Sequence, residues 1–503
     1  MLPEPRAYRF GPRSKRGLVV GLRAGQILVA VVGTLLAMAT LRVAPGATGA
    51  LAAFLVLALS GLAAFWPIAG RTTEEWAPVI LRWTADGLPG RRRCFPSQDR
   101  STCLGGCTVD QASVEASPRG RARSARGTPF AHLQILGARR PDDPAQPVVG
   151  VVHDRRHDLF TAVLKLRGVN FSLLSAEDQE AAVTRWSSVL AGLARESSAL
   201  RRVQWSVQTL PDDGSDLRRH LRTAAELPPD SAAYRSYDDI LTAAMPSTPA
   251  HEVFFSLQVS RQRAGRRGGG ATKDAVALLL DETRALRQQL RQADVDVEAL
   301  LGPGDLVGLI RRLGSAAAGR VGSAQRPCPP CAIGRPWPAA VRADWAHVQA
   351  DGAWHTTYWI SEWPRTDVDA QFLAPTLLSS SRRTVSVVME PVPPTRTVRG
   401  AERDRTADIA DAEIRRRGGF LETARRSREA ANSSQREAEL AEGHALFRYS
   451  GYVTVTSDSL EDLDDRRREV EQSAARSQID LCLLYGDQLR ALGCSLPFCL
   501  GLA

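Results

Sequence analysis

The sequence predicts an α+β protein: an N-terminal two-helix transmembrane hairpin followed by two ferredoxin-like (β-α-β-β-α-β) cytosolic units, with a helical insertion in the second. Three observations predict it. Two uncharged apolar stretches, residues 24–41 and 44–69, open an otherwise polar chain of 503 residues. Behind them, segments of period-2 and period-3.6 hydrophobicity alternate twice in the same order. A Pro/Gly-rich stretch, residues 314–338, separates the two passes.

The first apolar stretch has 18 residues without a charge. As a helix it is about 27 Å long, close to the ~30 Å of a bilayer core. The second is longer and can tilt. Lipid offers backbone groups no partner, so both are expected as helices. Arg6, Arg9, Arg13, Lys15, Arg16 and Arg23 precede the first stretch, and Arg71, Arg82, Arg91, Arg92 and Arg93 follow the second. The hinge between them holds only Arg42. Basic flanks stay on the cytoplasmic side. The expected topology is therefore two-pass in the cell inner (plasma) membrane, with both termini cytoplasmic. A cleaved signal peptide fits poorly, because a second apolar stretch follows at once without a small-residue cleavage site between them.

Residues 73–128 read as an interfacial helix and a disordered basic linker. Trp76, Val79, Ile80 and Trp83 stand at helical spacing, and tryptophan favours the headgroup region; a first element of the soluble core is the alternative. Gly, Arg, Ser and Pro dominate residues 87–127, as in poorly ordered segments.

The first α+β unit covers residues 129–313. Strands are expected at 148–152 and 159–166, around a turn carrying His153 and His157. A helix follows from Ser175 to about Glu196, opened by a capping box of Ser175 and Asp178. Next come an alternating strand at 203–210, short helices over 215–244, a strand at 252–260, an amphipathic helix at 274–292 and a short strand at 294–297. Residues 314–340 form a Pro/Gly-rich linker. The second unit, 341–503, repeats the order: a strand at 354–363 ended by Pro364, a helix at 367–378, and a strand at 384–390 stopped by Pro391, Pro393 and Pro394. An Arg/Glu-dense helical insertion spans 399–445, broken at Gly418 and Gly419. Its sparse apolar positions, Ile409, Ile414, Phe420, Leu421 and Leu440, fit either a partner-binding helix pair or a solvated arm. A strand at 447–456, a helix at 459–476 and a strand at 479–485 complete the unit.

The net charge is +10, yet the only lysines are Lys15, Lys165 and Lys273. Such arginine bias is that of a GC-rich coding sequence and points only weakly to nucleic acid. It suits a surface attracted to an anionic leaflet. Lys273 closes a glycine-rich run but lacks both the preceding glycine and the following hydroxyl of a P-loop. Neither an HExxH nor a GxSxG pattern occurs. No catalytic residue, no cofactor-binding residue and no metal ligand is therefore expected, and the chain is not expected to be an enzyme. Of eight cysteines, Cys328 and Cys331 make the sharpest pair, but in a Pro/Gly loop rather than at a helix start. A zinc knuckle would draw on Cys103 and Cys107, with Cys94 nearby. Cys482, Cys494 and Cys499 fill apolar positions. His153 and His157 span a turn and read as solvated. Asp462, Asp464 and Asp465 precede Arg466, Arg467 and Arg468 at helical pairing distance.

Four segments in order carry a resemblance: "PVVGVVHDRRHDLFTAVLKL" (147–166), "HTTYWISEWP" (355–364), "RRTVSVVMEPVPP" (382–394) and "YGDQLRALGCSLPF" (485–498). Its most specific parts run from Tyr358 to Pro364, and from Tyr485, Gly486 and Gln488 to Leu496 and Pro497. Together they resemble an actinobacterial family that accompanies conjugative and type IV secretion-like loci. The resemblance implies a soluble region similar to the N-terminal domain of TraC-type secretion ATPases, and a hairpin similar to the PrgI-type inner-membrane subunit. In those ATPases the Leu-Pro element leads into a nucleotide-binding domain, whereas Ala503 follows Pro497 by six residues here; the motor is expected in another protein. What the resemblance implies is a non-enzymatic inner-membrane scaffold of a conjugative or type IV secretion-like apparatus, docking a separate ATPase. Its implied partners are anionic inner-membrane lipids, that ATPase, other secretion subunits and further copies of itself in a homo-oligomer. Nucleic acid enters only as possible transported cargo. The alternatives are a type VII secretion-type membrane subunit, which can also have two N-terminal spans and a cytosolic domain, and a cysteine/zinc-dependent membrane regulator using Cys328, Cys331 and the histidines.

Overall fold

A computed structural model describes residues 24–65, 73–87, 93–94, 130, 132–139, 147–168, 171–196, 198–211, 215–224, 228, 230–244, 249–265, 272–314, 338, 340–393, 395 and 445–501. Nearly all of the basic linker lies outside them, as do Cys103, Cys107, Cys328, Cys331 and the insertion at 399–445.

The apolar start folds as two helices, α1 (Ala24–Val43) and α2 (Ala47–Phe65), joined by a three-residue turn. Gln26 Nε2 donates to Ala64 O (3.3 Å) across the open end of the hairpin. Gly33 lets the backbones approach, because a Cβ there would strike the Ser60 side chain. Leu28, Leu35, Leu51 and Phe54 point outward. Among the described residues one helix, Gly25–Val43, is long and apolar enough to cross a membrane, while Ala47–Leu62 is apolar but shorter. The two-pass expectation is therefore met by only one helix of sufficient length. Next comes α3 (Thr73–Gly87).

The rest is built from β1 (Arg93–Cys94), β2 (Leu133–Ala138), β3 (Val149–Asp154), β4 (Leu159–Leu166), α4 (Ala176–Leu193), β5 (Leu200–Pro211), α5 (Ser215–Ala224), α6 (Ala232–Ala244), β6 (Pro249–Ser260), α7 (Arg261–Gly265), α8 (Thr272–Gln292), β7 (Val297–Leu300), α9 (Pro303–Arg311), β8 (Val341–Ala343), β9 (Val348–Ala350), β10 (Ala353–Glu362), α10 (Ala374–Leu377), β11 (Arg383–Val392), β12 (Leu446–Ser457), α11 (Leu460–Arg476), β13 (Asp480–Leu483) and α12 (Gln488–Leu492). All thirteen strands among the described residues join one antiparallel sheet, ordered β1-β8-β9-β10-β12-β11-β5-β6-β4-β3-β2, with β13 beside β10 and β7 beside β4.

The fold is thus α+β, as expected, but the sheet is single. The two halves meet where β11 pairs β5, from Arg383↔Thr209 to Met389↔Val203. Both strands are long, and either would be an open edge alone; pairing them satisfies both rows of backbone donors and acceptors. Three expected boundaries also shift. The helix expected over 367–378 is helical only at Ala374–Leu377, because Asp369 Oδ1 accepts from Gln371 N (2.8 Å) and holds a turn ahead of it. Pro391 does not stop β11. Its pairing with β5 ends at Met389, so the proline sits on a locally open side where a missing N–H does no harm. The strand expected at 294–297 begins at Val297, since Asp294 has φ 57° and Val295 N closes onto Leu290 O (2.9 Å) at the end of α8.

Adjacent strand residues face opposite sides, and each side has its own cover. On one side α4 and α8 bury Val203, Phe255, Leu257 and Val259, while α11 buries Val385, Val453 and Val455. Trp205 packs against both groups and makes this face continuous. On the other side Leu306, Leu309 and Ile310 of α9 join Leu492, Leu496 and Phe498 against Val152, Val163 and Phe254.

Candidate docking platform and membrane junction

Gln204 and Gln208 of β5, Ser256 and Gln258 of β6, Thr161 of β4 and Ser386 of β11 alternate with core residues and look like a solvent face. All are buried. They hold the backbone that follows α12. Gln204 Nε2 donates to Leu496 O (3.0 Å), and Gln204 Oε1 accepts from Cys499 N (2.6 Å). Ser256 Oγ donates to Pro497 O (2.6 Å), Ser386 Oγ to Cys494 O (2.6 Å) and Gln208 Nε2 to Ser495 O (3.3 Å). Gln258 Nε2 reaches Phe498 O (3.4 Å) and Thr161 Oγ1 (3.1 Å). Pro497 has no N–H and Cys499 sits at φ 57°, so this segment cannot run as a strand. Buried backbone groups still need partners, and side chains from four strands supply them.

A charged group ties the halves together beside this thread. Glu252 is 3% exposed and accepts from Lys165 (3.1 Å) and Arg312 (2.5 Å). Lys165 also reaches Glu298 (3.1 Å). Arg382, from the second half, donates to Arg312 O (2.8 Å), and burial pushes its guanidinium down to about 10. His355 of β10 bridges Leu313 O (2.7 Å) and Thr456 Oγ1 (2.9 Å); burial pushes this imidazole down to about 4. At that value it is neutral at pH 7, donating from one ring nitrogen to the carbonyl.

Helix α3 connects hairpin to sheet. Trp76 stacks on Trp345 (5.8 Å) and tilts against Tyr485 (5.8 Å), while Trp83 meets the edge of Trp345 (5.3 Å). Val79 is buried between them. Arg82 pairs with Asp487 at 3.3 Å. Gly486 has φ +73°, and a Cβ there would come within 2.8 Å of Val79 Cγ1 and 2.9 Å of Trp345. The tryptophans singled out for the headgroup region thus pack on protein, while Ile80 and Leu81 of the same helix stay exposed.

The other marked residues have local partners. Gln488 takes a strand's place, accepting from Thr357 N (2.8 Å) and donating to Thr357 O (3.1 Å). Tyr358 donates to Glu471 (2.6 Å) and accepts from Arg467 (3.0 Å); burial, then Glu471, pushes its phenol up. Arg466, Arg467 and Arg468 pair with Asp462 (2.6 Å), Asp464 (3.0 Å) and Asp465 (2.8 Å). His157 is exposed and shares Asp154 with His132 (2.8 and 3.5 Å), whereas His153 stacks on Phe160 at 4.3 Å. Burial lowers both His132 and His153. Cys482, Cys494 and Cys499 are buried free thiols, and burial pushes Cys494 up to about 12. Among the described residues no group of three or more His, Cys, Asp and Glu side chains is placed to hold a metal ion. Sequence reasoning missed β1, β2, α7, β8, β9, α9, α12 and the polar floor; β1 lies in the stretch expected to be disordered. Signals existed for α9 alone, in Gly302, Pro303 and Asp305 as a helix start.

A family model described as "Putative type VII ESX secretion system translocon, EccE" matches residues 255–360. That segment runs from β6 through α8, β7 and α9 into β10, crossing from one half of the sheet to the other. No curated protein matches the chain. The match is to a secretion-system family, as expected at the coarser level. It favours the type VII alternative and lends nothing to a PrgI-type or TraC-type resemblance.

Proposed function

We propose that this chain is a non-enzymatic membrane subunit of a type VII-like secretion translocon, whose sheet is a rigid platform docking other subunits. The observation that carries it is the junction: α3, which follows the apolar hairpin in the chain, is clamped to the sheet by Trp76, Trp83, Trp345 and Tyr485, which keeps the platform close to the anchor. The match to the EccE family over residues 255–360 supports this reading ahead of the conjugative or type IV one. The hairpin acts as a two-pass anchor, with the short α2 completing its crossing by local bilayer thinning. Both termini lie in the cytoplasm. Strand orders β7-β4-β6-β5 and β13-β10-β12-β11 follow the same permutation, which supports two ferredoxin-like repeats fused edge to edge. Partners are other translocon subunits, a separate ATPase, anionic lipids and further copies of the chain, since closed symmetry is the usual oligomer solution.

Cross-linking the full chain in its native membrane tests this. The expected outcome is co-purification with membrane subunits of one secretion system and a Walker-motif ATPase, with no ATP turnover by the isolated chain. Sustained ATP hydrolysis by the isolated chain, or its recovery from the soluble fraction of cells, overturns it.

A further inference from the structure

We infer that a pocket between α8 and the β3/β7 edge of the sheet binds a phosphoryl anion, carried by a lipid headgroup or by a soluble phosphoester. The cavity measures about 390 Å³, within the size range of small-molecule sites. Arg284, Arg287 and Arg291 of α8 line it, Arg139 enters from the end of β2, and Leu280 and Leu300 form apolar wall.

The three helical arginines stand at i, i+3 and i+7, on one stripe. Like charges at that spacing destabilise a helix, so the arrangement calls for a counter-ion. None comes from the described residues. Among the described residues no carboxylate is in ion-pair contact with Arg284, Arg287 or Arg291; Asp294 pairs with Arg185 (3.4 Å), Asp296 with Arg167 (3.4 Å) and Glu298 with Lys165 (3.1 Å). Arg287 Nε is buried without a hydrogen-bond partner, and an oxygen of a bound anion would satisfy it. Helix α11 makes the contrast within the same molecule, since each of its three consecutive arginines has an aspartate three or four residues away. Guanidinium forks match the paired oxygens of a phosphoryl group, and Leu280 and Leu300 add apolar contact beside them. Four such forks, none paired with a carboxylate of the described residues, fit a dianion better than a single carboxylate.

The test uses the full chain in neutral phosphatidylcholine nanodiscs, titrated calorimetrically with inorganic pyrophosphate. A second arm measures nanodiscs carrying phosphatidic acid by competition. Saturable pyrophosphate binding identifies a soluble source; saturable binding of phosphatidic acid alone identifies a headgroup. Both support the site if Arg287→Gln weakens binding at least tenfold, Arg287→Lys weakens it less, and thermal melting stays unchanged. Arg466→Gln with Arg468→Gln removes similar charge from α11 and is expected to leave binding intact. Equal loss in that variant overturns the proposal in favour of general charge attraction, as does absence of saturable binding in both arms. Residues 140–146, between Arg139 and Pro147, carry Asp142 and Asp143 and lie outside the described residues; binding that appears only in Asp142→Asn with Asp143→Asn also overturns it, by making the chain's own acids the counter-ion.

Discussion

His355 has its ring inside the protein, held by a carbonyl and a hydroxyl, and its folded value of about 4 lies below the ordinary 6.5. The unfolded chain therefore binds the extra proton first as pH falls. The stability due to this neutral imidazole is complete above about pH 6.5 and is lost as pH drops toward 4, on the order of 3 kcal/mol in total. Urea unfolding followed by tryptophan fluorescence is expected to track that window, and His355→Gln is expected to flatten it. Cys494 and Cys499 are wholly buried, with thiols pushed up by desolvation. Maleimide is expected to leave both unlabelled in the native chain and to label both in denaturant, read by mass spectrometry.

At the level of elements, α3 has no covalent need to lie on the sheet; it is held there by rings and one close glycine. Gly486→Ala combines a left-handed backbone with contacts to Val79 and Trp345, costing roughly 1–3 kcal/mol. Trp345→Ala is expected to cost roughly 2 kcal/mol, below the ~3–5 kcal/mol of a fully buried ring, because Trp345 is half-buried. In both variants hydrogen exchange in residues 73–87 is expected to rise while exchange in β5 and β6 stays slow. Unchanged protection of α3 would mean that the junction is not what holds it. The buried thread predicts a different pattern. Gln204→Leu leaves Cys499 N and Leu496 O without their partner and is expected to lower stability by roughly 1–3 kcal/mol, measured by thermal melting.

For the whole molecule, the polar floor and its thread make the two halves one unit. The segment after α12 is held by strands β4, β5 and β6 of the first half and by β11 of the second. A chain ending at Leu492 is expected to melt lower and in two steps, with the full chain melting in one. A single unaltered transition would place the coupling in the β5–β11 seam alone.

Local pattern was enough for the elements whose signals are local. The apolar helices, the Ser175 cap that accepts from Asp178 N (3.2 Å), the amphipathic α8 and the Asp–Arg pairs of α11 all follow from spacing within a few residues. Sequence also carried the mixture of strands and helices. The tertiary structure alone decided that β5 meets β11, that Trp76 and Trp83 lie on protein, that Gln204, Ser256 and Gln258 face a chain segment instead of water, and that four arginines gather on one pocket. Polarity in a strand says which face is not apolar. Whether water or backbone satisfies that face depends on residues nearly three hundred positions away, and no local period records them.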